Sequence, residues 1–96
     1  MRVRFTRTAQ RDLAEIHAYI NHDSPTIASR VVARLIERAR GLADHPFEGR
    51  ETDEPEVRVI VARRLRYLIF YAIAGDEICI THIRHTSRRR PSGWGR

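Results

Sequence analysis

Residues 65–73, LRYLIFYAI, are apolar at almost every position. The run is far shorter than the roughly 20 residues that a membrane span requires. It also lacks the alternation of a strand with one face in water. It ends in Ala74-Gly75-Asp76-Glu77, a hairpin turn. This pattern predicts a central strand over Leu65–Ile73, covered on both faces. Its neighbours follow from the flanking residues. Val57–Ala62 alternates around Arg58, and Ile78–Arg84 (ICITHIR) reads as the last strand. Near the N-terminus, RVRFT (residues 2–6) places Val3 and Phe5 on one face of a short first strand.

Between the first strand and the other three, the period changes. Ala9, Leu13, Ile16 and Ile20 recur at helical spacing, with Thr8 as the expected N-cap of a helix over about 9–22. Ser24-Pro25 opens a second helix with a capping hydroxyl followed by proline at the first helical position. Over 25–43, Ala28, Val31, Val32, Leu35, Ile36, Ala39 and Leu42 form a broad apolar face, and Gly41 weakens the last turn. The short connection makes the two helices an antiparallel hairpin. His45-Pro46 stops the second helix, Gly49 makes a turn, and 44–56 reads as a loop. The order β-α-α-β-β-β predicts an α+β fold, with the short strand and the helical hairpin packed on an antiparallel sheet. The chain is expected to be one domain over 1–96, with about 86–96 as an irregular tail.

Composition narrows the function classes. At 42% hydrophobic residues the chain has the makings of a core. At 96 residues it buries only roughly 60–65% of its unfolded surface, so that core is thin. The N-terminus MRVRFTRTAQ lacks an apolar signal-peptide core, and Cys79 has no second cysteine to bond. A cytoplasmic protein without a membrane association is the expectation.

All 18 basic residues are arginine. Arginine makes planar, bidentate contacts to phosphate and carboxylate. A GC-rich coding bias produces the same absence of lysine, so location carries more than the total. Residues 1–56 hold nine arginines and ten carboxylates, a net of −1. Residues 57–96 hold nine arginines against Asp76 and Glu77, a net of +7. Such asymmetry points to nucleic acid or an acidic protein as partner. The candidate contact residues are Arg58, Arg63, Arg64, Arg66, Arg84, Arg88, Arg89 and Arg90, on or next to the three C-terminal strands. If the central strand runs through both Arg64 and Arg66, they share a face, and the sheet acquires a basic side. The alternative is a solvated surface that only aids solubility. The acidic ETDEPE stretch (51–56) is either a solvated loop or a shield for that side.

A set of residues in fixed order resembles a known family. It comprises Ala9, Asp12, Leu13, Ile16, Tyr19 and Ile20; then Ser24-Pro25 with Ala28; then Leu42, Pro46 and Gly49-Arg50. Val57-Arg58, Tyr67 with Tyr71, and Ile83-Arg84-His85 with Arg88 complete it. In this order, over residues 2 to about 91, they resemble the RelE/ParE superfamily of bacterial type II toxin–antitoxin toxins. The resemblance implies a toxin neutralised by a cognate antitoxin, ParD-like or another DNA-binding type, in a hetero-oligomer. The helical hairpin and the opening of its second helix look closer to the ParE-like branch, whose members inhibit DNA gyrase. RelE-like members instead cleave mRNA on the ribosome.

The nuclease alternative carries a chemical requirement. Cleavage through the 2′-hydroxyl needs a base, an acid for the leaving oxygen and a cation for the phosphorane. His85, Glu54 and Arg66 are the candidates, and the trio resembles the Glu/Arg/His set of the YoeB-like branch; Glu51, Asp53 and Glu56 compete with Glu54 for the role. His82 and His85, three apart on one strand, face opposite sides, which is poor geometry for a shared metal. His17, His22 and His45 are scattered. No metal or cofactor is expected. Tyr67 and Tyr71 are expected in the core with Ile69, Phe70 on the opposite face, Cys79 as a small buried hydrophobe, and Trp94 in the tail.

Overall fold

The computed structural model describes residues 1–87. The element order is β1 (Arg2–Phe5), α1 (Arg7–Asn21), α2 (Pro25–Arg40), a 3₁₀ turn (Gly41–Ala43), β2 (Arg50–Glu51), β3 (Val57–Ala62), β4 (Tyr67–Ala74) and β5 (Glu77–His85). The strands form one sheet in the order β1-β5-β4-β3-β2. The α+β architecture and its helical hairpin are as the sequence implies. The β2–β3, β3–β4 and β4–β5 pairs are antiparallel, while β1 joins β5 in parallel. A parallel neighbour needs a long crossover, and the whole α1-α2-β2-β3-β4 stretch provides it. β2 is an addition that the sequence did not suggest, since Arg50-Glu51 has no apolar pattern. It exists because its backbone pairs with Val59 and Arg58.

The helix starts one turn-fraction earlier than the sequence predicts. Thr6, not Thr8, is the N-cap of α1, accepting from the Ala9 amide at 3.1 Å. Its hydroxyl also donates to the Ile80 carbonyl at 2.9 Å, so one side chain both caps the helix and holds it to β5. Ser24 caps α2 as expected, accepting from Ile27, with Pro25 in the first turn. The second helix ends at Arg40 and tightens to 3₁₀ over Gly41–Ala43 rather than continuing to 43.

Leu13, Ile16, Leu35, Ala39 and Leu42 from the helical layer meet Ile60, Tyr67, Ile69, Tyr71, Ile78, Ile80 and Ile83 from the sheet. Burying a side chain of this size contributes about 1.5–3 kcal/mol. Tyr67, Ile69 and Tyr71 lie on the helix side of β4, and Phe70, also buried, points the other way. Cys79 is 8% exposed, and its Sγ receives a hydrogen bond from the Arg4 guanidinium at 3.1 Å.

β5 changes register within its length. Tyr71 pairs with Ile80 while the preceding Phe70 pairs with His82, which leaves Thr81 as an extra residue. The parity of the strand therefore flips. Ile78 and Ile80 face the core before the bulge, and Ile83 does so after it. His82 and Arg84 are carried to the opposite face. Thr81 donates to the Phe70 carbonyl at 3.2 Å, and Thr6 reaches the Ile80 carbonyl at the same place.

β1 ends where the bulge begins, at the Phe5–Ile80 pair. Past that point no strand among the described residues borders the outer edge of β5, and the Ile83 amide bonds to a side chain instead of backbone. Asp12 provides it: the carboxylate, 5% exposed, accepts from Ile83 N at 3.0 Å. Its oxygens also lie 3.9 Å from His82 Nδ1 and 4.0 Å from Arg84 Nη1. Burial lowers the His82 pKa from the ordinary 6.5; the Asp12 charge opposes this, Arg84 reinforces it and Glu54 opposes it.

Asp12→Ala should lower the unfolding free energy by about 1–3 kcal/mol in urea titration, the cost of a stranded buried amide. Asp12→Asn, whose amide oxygen still accepts, should lose less; equal losses would count against the hydrogen bond. A depressed histidine pKa also sets a sign. Between the unfolded value near 6.5 and the lower folded value, the unfolded chain binds more protons, so stability falls as pH falls through that window. His82→Gln should remove that component, measured as a shallower loss of melting temperature on acidification.

Candidate functional site

The central strand does not begin at Leu65. Residues 63–66 form the β3–β4 turn, closed by Arg66 N to Ala62 O at 2.8 Å, with Arg66 in the left-handed region at φ 63°. Leu65 still packs on the core. The expectation that Arg64 and Arg66 alternate along a strand is therefore corrected. They belong with Arg63 to one tight turn, and all three are exposed. Among the described residues, none of their guanidinium groups makes a hydrogen bond or ion pair. The Thr86 amide donates to the Arg66 carbonyl at 2.9 Å, which draws the end of β5, with Arg84 and His85, alongside this turn. Arg88, Arg89, Arg90 and Trp94 lie outside the described residues.

A groove of about 880 Å³ runs between α2 and the turn. Val61, Ala62 and Leu65 give it an apolar lining; Arg34, Arg38, Arg63 and Arg64 surround it with cations, and Glu37 is the one carboxylate. Arg34 was not anticipated from sequence. It becomes visible only when α2 is laid beside the turn.

Acidic groups gather at the other end of the sheet. The β2–β3 turn carries Asp53, Glu54 and Glu56, and the β4–β5 turn carries Asp76 with Glu77 beside it. Arg2 and Arg4 pair with Glu77 at 3.0 and 3.5 Å. The sheet thus has a basic end and an acidic end rather than a basic face. The ETDEPE stretch is too distant along β3 to shield the β3–β4 turn.

Arg58 is separated from the other arginines by most of β3. It faces the 44–50 segment, where its Nη1 donates to Gly49 O at 2.6 Å and its guanidinium lies 5.1 Å from the Phe47 ring centroid. This segment is tied down at several points. Tyr71, fully buried, donates to Pro46 O and accepts from Gly49 N, both at 2.8 Å. A Cβ on Gly49 would sit 2.7 Å from the Tyr71 ring, so only glycine fits there. Burial raises the Tyr71 pKa above its ordinary 10.0, although the Gly49 hydrogen bond opposes the rise. Arg38 grips both oxygens of Glu48 at 2.6 and 3.3 Å, and this hydrogen bonding holds the Glu48 pKa below 4.5 against partial burial.

The nuclease trio is not assembled as a unit. His85 and Arg66 share the basic end. Glu54 precedes β3 and Arg66 follows it, with six extended residues between, about 17 Å of strand. The Glu54 charge is felt by His82, on the opposite face of β5 from His85. His85 packs edge-on against Tyr67 at 5.1 Å, and its Nδ1 accepts from the Ser87 amide at 3.1 Å. Among the described residues, no three metal-ligating side chains converge, and no helix is long and apolar enough to cross a membrane.

Sequence reasoning treated Asp12 only as a motif position. Its signal was present: it sits at helical spacing with Ala9, Leu13 and Ile16, a carboxylate on an apolar stripe. Phe47 carried no such signal, because the arginine beneath it lies 11 residues away in sequence.

Comparison with known proteins places this geometry. The family model for the ParE toxin of the type II toxin–antitoxin system parDE matches residues 3–90. Y4kP of Sinorhizobium fredii is 38% identical over 90 residues, covering 94% of this chain and 93% of the relative. Toxin RelE2 of Caulobacter vibrioides is 34% identical over 84 residues, covering 88% and 93%. Among solved structures, a chain of the chromosomal ParDE system of P. aeruginosa superposes with a TM-score of 0.80 at 27% identity, over 91% of this chain and 97% of that one. The isolated E. coli RelE toxin shares the fold, with a TM-score of 0.58 at 13% identity over 93% and 87%. The chain belongs to the ParE toxin family of type II toxin–antitoxin systems.

Proposed function

We propose that the chain acts as an inhibitor of DNA gyrase, with no bond chemistry of its own, and that a cognate antitoxin neutralises it in a cytoplasmic hetero-oligomer. The observation that carries this reading is the unassembled acid–base set: Glu54 is a strand-length away from Arg66 and His85. Similarity to a chain of a ParDE system supports it. The turn arginines, Arg63, Arg64 and Arg66, with Arg84 beside them, are the described contact residues; Arg88, Arg89 and Arg90 extend the set. Arg58 is committed to Gly49 and Phe47, and Arg84 already lies against Asp12.

A second reading, ribosome-dependent mRNA cleavage, draws on the nearness of His85 to Arg66 and on relatives that bear the RelE name. Two assays separate them. Purified chain should block supercoiling by gyrase, and no inhibition at stoichiometric excess would overturn the first reading. His85→Ala should leave toxicity intact; its loss, together with codon-phased mRNA cuts, would establish the second.

The antitoxin segment under this proposal is acidic and amphipathic. Its apolar side lies on Val61 and Leu65, and its carboxylates meet Arg34, Arg63 and Arg64. Reversing both turn charges, Arg63→Glu with Arg64→Glu, should weaken antitoxin binding about tenfold or more by titration calorimetry, because like charges then face each other. Unchanged affinity would place the antitoxin elsewhere.

A further inference from the structure

Phe47 is 69% exposed, yet the backbone that carries it is fixed from both sides. Tyr71 bonds Pro46 and Gly49, the residues bracketing it, and Arg38 holds its neighbour Glu48. Isolated surface hydrophobes are common and mean little. An aromatic ring held this rigidly in solvent, with a cation stacked on it, is a different object. The Arg58 guanidinium lies at 5.1 Å from the ring centroid, and its hydrogen bond to Gly49 O uses one of five N–H groups. Beside the ring is an open hollow of about 560 Å³ lined by His45, Pro46, Phe47 and Glu48. Arg50, exposed and without an ion pair among the described residues, adds positive charge nearby.

We propose that Phe47, backed by Arg58, is a stacking platform for an unpaired nucleobase of single-stranded nucleic acid. Every base has a π-face, and stacking on an aromatic ring needs no deep pocket. The hollow suits this: it is shallow and open, with room for a nucleoside. His45 and Glu48 stand where the polar edge of a base would come. The Arg58 and Arg50 cations favour the phosphates that follow it. Bases within a duplex are stacked on each other and cannot use the ring. This site is separated from the antitoxin groove by the Arg38–Glu48 ion pair, which borders both, and the proposal holds whether or not gyrase is the target.

The test is fluorescence anisotropy with the full chain and labelled oligodeoxythymidylate or oligouridylate, with a duplex of matching length as control. Phe47→Ala and Phe47→Leu should each weaken single-strand binding by about 5- to 150-fold, the range for loss of one stacked base. Phe47→Tyr should retain it, and duplex affinity should not change. Melting temperature checks that the exposed substitutions leave the fold intact. A preference between the two oligonucleotides identifies DNA or RNA as the natural strand. Failure of the wild type to bind either strand would overturn the proposal. So would equal binding by Phe47→Leu, which would reduce the interaction to charge. If Phe47→Ala weakened binding to a gyrase subunit while leaving strand affinity unchanged, the ring would be a protein anchor and the proposal would fail.

Discussion

The hydrogen bond from the Ile83 amide to Asp12 fixes where the helical layer meets the sheet. A sheet edge with an unpaired amide is tolerable in water and costly in a core. By ending at Phe5, β1 leaves such an amide just past the bulge. A helix can cover it only by bringing an acceptor of its own, and Asp12 is that acceptor. Together with the Thr6 contact to Ile80 and the apolar core shared by both helices, it seats α1 on β5.

Much of this architecture was legible because it rests on period. The apolar stripes of both helices, Ser24-Pro25 and the apolar run of β4 each signal locally. Features that depend on distant pairing were not. Period-two reading from Ile78 and Ile80 would carry His82 and Arg84 into the core; the extra residue at Thr81 reverses this, and nothing in ICITHIR marks where a bulge falls. Thr8 and Thr6 are equal caps on paper. Only Thr6 can also reach Ile80, and that contact decides between them.

The same reasoning explains the partly wrong picture of the charge. In sequence the arginines of the C-terminal half lie on or next to three strands, and a strand through 65 and 66 would spread them along a face. The left-handed conformation of Arg66 closes a turn instead. It concentrates Arg63, Arg64 and Arg66 at one end and leaves Arg58 at the other. The Pro46 and Gly49 positions resemble loop punctuation in sequence. In the fold they are the two ends of a clamp made by the Tyr71 hydroxyl, which turns a connecting loop into a rigid mount.

Carboxylates crowd one end of the sheet, only partly offset by Arg2, Arg4 and Arg58, while Arg63, Arg64 and Arg66 stand at the other, so charge is unevenly placed along β3. An anionic partner therefore exerts a torque on it before contact, turning the β3–β4 turn forward while the two bodies are still separated by about a Debye length, ~8 Å at physiological ionic strength. A larger share of encounters then starts in the docking orientation, and association gains speed without any added contact. The same torque presents the acidic hairpins to the rear, where they repel a second anionic molecule. Charge order along one strand thus selects which end meets the partner and disfavours occupation of the other.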